Sequence, residues 1–234
     1  MNPEQQQEII SLRTRNLTPK QIARKLGLKV AEVTAVIKEQ AEETTLARVA
    51  AGELEPVVEC LVNAGTVEKF LGSNTAQETD IDMNGALAIV SVARQVAHNR
   101  LTVCTYMVDL WCLGVKDTLG PRKVDQTAYK QLISAVYRGF PEGTQEITLE
   151  QAQALVFSAV DYAAQLGLSP HRDFEKSRAH LGEWSGEPKI QCGRNGKPFY
   201  VSGPYDNPNK IIKTLREKVG EGNFDYVAGM DELP

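Results

Sequence analysis

Residues Thr18–Lys38, TPKQIARKLGLKVAEVTAVIK, carry the most specific local pattern in the chain. Thr18 offers a side-chain oxygen to an orphan amide at a helix start, Pro19 suits the first helical position, and Gln21 completes a capping box. Ile22, Ala23 and Leu26 form an apolar stripe, and Gly27 permits the positive φ of a tight turn. Val30, Val33 and Ile37, with Val36 as an alternative to Ile37, restart the period on the inner face of a second helix. Small Ala23 lets the two helices cross closely. The spacing predicts a helix-turn-helix.

Working outward, Asn2-Pro3-Glu4-Gln5 repeats the capping logic and opens a helix to about Arg13. A three-helix unit ending near Glu43 follows, within a domain of residues 1–46. Residues 46–54, LARVAAGEL, extend the third helix or act as a hinge to a second domain, residues 54–234.

Charge is concentrated in the first of these domains. Residues 11–38 hold seven cations against Glu32, a net +6, on a chain of net −4. A basic field on an acidic protein suits phosphate binding. The expected DNA-binding set is Arg13, Arg15, Lys20, Arg24, Lys25, Lys29, Thr34 and Lys38. The outward face of the third helix (Lys29, Ala31, Glu32, Thr34, Ala35, Lys38) lacks the Arg, Asn and Gln that read base edges bidentately. Phosphate contacts that position the protein without specifying sequence are therefore expected. Lys29 stands where a Ser or Thr cap belongs, so the helix start is weakly specified. The competing assignment is a trihelical module for protein contacts or dimer formation.

Hydrophobic residues make up 42% of the 234 and charged ones 24%, as in an ordinary water-soluble chain with room for one small and one medium domain. MNPEQQQEII lacks the basic-then-apolar order of a secretion signal, and no apolar run approaches membrane-spanning length. Cys60, Cys104, Cys112 and Cys192 are widely spaced, without the spacing of a zinc site. Reduced, buried thiols in a cytoplasmic protein are expected.

Beyond residue 54 the period becomes strand-like. Pro56–Val62, Ala86–Ala93 and Leu101–Leu113 read as three strands of an antiparallel meander, the last two apolar enough to be covered on both faces. Residues 66–85 read as a loop. Helices are expected over Val124–Gly139, over Thr148–Leu166 behind a Thr148/Gln151 capping box, from Ser169-Pro170 to about Leu181, and from Asn207-Pro208 to Lys218. Asn195-Gly196 predicts a two-residue hairpin between Lys189–Arg194 and Lys197–Ser202, and Phe224–Ala228 a last strand. The chain is α+β: a three-helix helix-turn-helix domain, then an α+β domain with an antiparallel sheet packed against helices.

Three phrases of the second domain, VDLWCLGVKD (Val108–Asp117), SAVDYAAQLGLSPHRDF (Ser158–Phe174) and GKPFYVSGPYD (Gly196–Asp206), together with Pro56–Leu61, resemble a group of uncharacterised bacterial proteins well represented among cyanobacteria. The resemblance covers about residues 55–210, with the helix-turn-helix as a separate attachment. It implies a bacterial cytoplasmic origin and supplies no activity or catalytic residue.

The residues most able to support chemistry are Asp109, Asp117, Asp161, His171, Asp173, His180 and Asp206. Carboxylates on a central strand and a nearby helix can ligate Mg²⁺ in nucleases. Asp109, inside an apolar run, needs a metal or a buried partner such as Lys116, Arg122 or a backbone N–H. Asp161, His171 and Asp173 complete the catalytic candidates, although Ser169, Pro170 and Asp173 also satisfy helix-start rules. Cys112 beside Lys116 suggests an activated thiol; Cys104 and Cys112, eight apart on one strand, read more simply as core. No phosphate-loop or dinucleotide motif occurs, so no cofactor is expected. Arg194, Lys197, Tyr200, Tyr205 and Lys210 form a basic, aromatic stretch that could hold a nucleic-acid backbone.

A DNA-associated protein of the transcriptional-regulator kind is expected, whose second domain senses, dimerises or recruits. A homodimer would cover two half-sites. A metal-dependent nuclease or hydrolase in residues 54–234, and a non-catalytic protein-interaction module, are the alternatives. The identity of any small-molecule ligand is left open, and no membrane partner is expected.

Overall fold

The computed structural model describes residues 3–15, 17–37, 39–40, 51, 54–72, 86–184 and 190–228. Contacts divide the chain into two units, Met1–Leu54 and Glu55–Pro234.

The first unit holds three helices, α1 (Pro3–Thr14), α2 (Pro19–Leu26) and α3 (residues 30–37). The Thr18 hydroxyl accepts the Gln21 N–H at 3.3 Å, and the Gln21 side chain accepts the Thr18 N–H at 2.9 Å. Gly27 closes α2 at φ +67°, in the left-handed region. Ile9, Leu12, Ile22, Ala23, Val33 and Val36 form the core between the helices. Ile9 and Ile22 are fully buried, each contributing about 2 kcal/mol of transfer free energy.

Two expectations for α3 are corrected. Val30 faces outward, 47% exposed. Leu28 takes the place beside the core instead, preceding the helix as a hydrophobic staple does against Val33 one turn in. The helix start is also better specified than Lys29 suggests, because the Glu32 carboxylate accepts the Lys29 N–H at 3.0 Å. The Asn2 cap, the helix end near Glu43 and the segment 46–50 lie outside the described residues.

The second unit is α+β. Its sheet runs in the order β4-β3-β2-β1-β5, with every pairing antiparallel. The strands are β1 (Val57–Asn63), β2 (Leu87–Ala97), β3 (Arg100–Asp109), β4 (Gly114–Val124) and β5 (Thr144–Glu146). A five-residue helix α4 (Thr66–Phe70) follows β1, where a loop was expected; residues 73–85 of that loop lie outside the described residues. Helices α5 (Gln126–Val136), α6 (Leu149–Gln165), α7 (Phe174–Leu181) and α8 (Pro208–Val219) complete the layers.

Both sheet faces are covered. Cys60, Val62, Val90, Val92, Tyr106 and Val108 meet α6 and α7. Leu61, Ile89, Ala93, Leu101 and Val103 meet α5 on the other side. This double coverage explains the near-continuous apolar runs of β2 and β3. Helix α6 begins with the Thr148/Gln151 capping box read from the sequence. Arg94, on β2 and only 4% exposed, ties the layers together, its guanidinium donating to the carbonyls of Glu55 (2.6 Å) and His180 (2.8 Å).

Strand β4 was not expected. Leu101–Leu113 is not one strand: β3 stops at Asp109, residues 110–113 turn, and Gly114 opens β4. Cys104 and Cys112 therefore do not share a strand. Pro121 is tolerated because β4 is an edge strand.

At Asn195-Gly196 both residues have positive φ (52° and 79°), as a tight hairpin turn requires, but only the Arg194–Lys197 bridge flanks it. Strand β6 (Phe199–Val201) pairs in parallel with β7 (Asp225–Val227), with α8 as the crossover. Helix α7 begins at Phe174, later than Ser169-Pro170 suggests. Among the described residues, no helix is long and apolar enough to cross a membrane.

Candidate functional site

Arg13, Arg15, Lys20, Arg24, Lys25, Lys29 and Thr34 are all exposed on the first unit; the Lys38 side chain lies outside the described residues. On α2, burial of Ile22 and Ala23 leaves Lys20 and Arg24, one turn apart, and Lys25 on the outer surface. Arg13 donates one N–H to the Leu17 carbonyl at 3.0 Å, bracing the turn between α1 and α2. Thr34 donates its hydroxyl to the Val30 carbonyl at 2.8 Å. Among the described residues, the side chains of Arg15, Lys20, Arg24, Lys25 and Lys29 form no ion pair or hydrogen bond. Beside them on the start of α3 lie the exposed Val30, Ala31, Thr34 and Ala35, small and largely apolar, with the acid Glu32 tied to the Lys29 N–H. Five uncompensated cations next to such a surface can bind an anionic polymer backbone.

The acidic candidates of the second unit fall into separate places. Asp109 ends β3 and is 7% exposed. Its Oδ1 accepts the N–H of Trp111 (2.9 Å) and of Cys112 (3.2 Å), closing the turn into β4. Burial raises its pKa, and the Trp111 amide and the Lys116 charge oppose that rise. The backbone N–H partner weighed from the sequence is therefore the observed one. Lys116 pairs at 3.0 Å with Asp206, which also accepts the Gly203 N–H at 2.8 Å.

Asp161 is exposed on α6 and lines a cleft of about 150 Å³ with Tyr162, Trp184 and Cys192. The structure does bring His171 close to two carboxylates, with Nδ1 at 3.7 Å from Asp117 and 3.9 Å from Asp173. The His171 N–H donates to the Val115 carbonyl at 2.8 Å, fixing this loop to β4. Asp173 occupies the N-cap position of α7 without capping it; its carboxylate takes the Lys176 ammonium at 2.7 Å, which lowers its pKa. His180 lies elsewhere, buried against the Val92 carbonyl at 3.0 Å, where burial depresses its pKa. Among the described residues, no three His, Cys, Asp or Glu side chains are grouped to hold a metal ion.

The four cysteines are free and buried. Burial pushes Cys60 up to about 11 and Cys104 and Cys192 up to about 12. Cys112 is raised as well, burial outweighing the opposing Lys116 charge, which fits the core reading of this thiol and not the activated one. The basic, aromatic stretch loses Tyr200, which is fully buried and donates towards Asp206 at 3.4 Å; Tyr205 is fully exposed.

Sequence reasoning passed over one feature, a cleft of about 570 Å³ between α5 and the outer side of β1 and β2, lined in part by Glu59 and Tyr129. Its only sequence signal is an acid inside the apolar run Val57–Val62. Comparison with protein-family models, curated proteins and solved structures finds no match in any of the three.

Proposed function

We propose that α1, α2 and α3 form a helix-turn-helix that binds duplex DNA through its phosphates, and that residues 55–234 are an attached sensing, dimerisation or recruitment domain. The observation that carries this is the set of exposed cations on and around α2 (Arg15, Lys20, Arg24, Lys25 and Lys29) with no counter-ion among the described residues. Gly27 in the left-handed turn between α2 and α3 supports the same assignment. Small outward residues on α3 fit contact with thymine methyl groups better than bidentate base reading, so backbone contacts supply most of the affinity. A homodimer would place two such units on paired half-sites. A cytoplasmic placement accords with the four free, buried thiols.

A protein-contact role for the three helices is the second reading, favoured by the exposure of Val30 on α3. A salt titration separates the two. With about four phosphates neutralised, DNA affinity falls about 10²-fold between roughly 50 and 200 mM salt, because each contact releases counterions. Fluorescence anisotropy with a mixed-sequence duplex measures it. Affinity that does not respond to salt, or no binding at the lower concentration, would leave the protein-contact reading.

A further inference from the structure

The cleft under α5 has the size of a small-molecule site and an uncommon floor. Leu61, Leu101 and Ile133 give it apolar surface. Glu59 enters that surface from β1, half-buried. It does so by strand alternation: Glu59 stands two residues before Leu61 in unbroken register, Glu59 facing Ala93 and Leu61 facing Ser91, so both take the α5 face. The Tyr129 hydroxyl on α5 donates to the Glu59 carboxylate. Burial, then Glu59 itself, raises the Tyr129 pKa, so the phenol stays a donor.

Among the described residues, Glu59 has no ion-pair partner. Lys130 lines the same cleft but is exposed and forms no ion pair with Glu59. A half-buried carboxylate with one neutral donor keeps unfilled acceptor capacity beside apolar carbon, and a ligand cation would fill it.

We propose that this cleft binds a small organic ammonium compound, its ammonium on Glu59 beside the Tyr129 hydroxyl and its apolar body over Leu61, Leu101 and Ile133. A ligand site of this kind would give residues 55–234 something to sense. It stands independently of DNA binding by the first unit: either can fail without the other.

Three indole probes of one shape and different charge test it: tryptamine, tryptophol and indole-3-acetate, titrated calorimetrically into the full chain. Tryptamine should bind about tenfold or more tightly than tryptophol, the gain expected of a charged over a neutral hydrogen bond at this carboxylate. In Glu59→Gln that preference should collapse to within about twofold while tryptophol affinity holds, since only the charge is removed. Ser134 is exposed at the cleft, so Ser134→Trp should weaken both probes without touching the core. Equal affinities in the wild type, a preference for the acid, no binding of any probe at millimolar concentration, or a preference surviving in Glu59→Gln would each overturn the proposal. The wild-type comparison decides even if a variant does not fold.

Discussion

Replacing Arg94 with alanine lowers the stability of residues 55–234 by about 3–5 kcal/mol, a loss read from denaturant unfolding. Arg94 is 4% exposed, and its guanidinium reaches carbonyls from two distant segments, Glu55 at the start of the unit and His180 at the end of α7. Helix ends leave carbonyls without partners, and here a side chain from β2 supplies one. In Arg94→Ala the Glu55 and His180 carbonyls lose their described partner, the first in a part-buried and the second in a buried place. The Leu181 carbonyl keeps the Gln153 amide at 2.9 Å. Arg94→Lys retains charge without the planar fork, so its loss should be intermediate. A loss below about 1 kcal/mol in Arg94→Ala would mean the carbonyls are served by solvent.

Gly114→Ala is the second large effect, about 2–5 kcal/mol, from two costs that add. Gly114 has φ +68°, which costs a residue with a Cβ about 1–2 kcal/mol. A Cβ there would also lie 2.9 Å from both the Ala159 carbonyl oxygen and the Ala163 methyl of α6, an overpacking worth about 1–3 kcal/mol. Gly139→Ala, where a Cβ meets nothing within 4 Å, is the control and should change stability little. Similar unfolding curves for the two variants would show that α6 yields freely at this turn.

These two positions also mark where the sequence was legible. Helices α2 and α6 were readable because a capping box and an apolar stripe are local, complete within a few residues. Strand β4 was not. As an edge strand it carries Lys116, Asp117, Pro121, Arg122 and Lys123, so apolar alternation is nearly absent, and Gly114 looks like a stop. Asp109 stood out correctly as a buried acid. Its partners sit two and three residues ahead, a spacing that points as well to a turn as to a metal. Val30 was assigned by period alone, which cannot tell that Leu28 would reach the core first. The Glu59 cleft was hidden because its other wall is α5, which brings Tyr129 to Glu59 from seventy residues further along the chain.

DNA binding by the cationic surface of the first unit is most directly tested by anisotropy with a mixed-sequence duplex at low salt. The triple variant R15A/R24A/K25A is compared with wild type and with K130A/R138A/K213A, which removes three exposed cations from the second unit. The account predicts that the first variant loses most of the affinity and reduces the salt slope by about three, one per lost phosphate contact, while the second behaves as wild type. Equal binding by all three proteins, or a loss confined to the second variant, would contradict it.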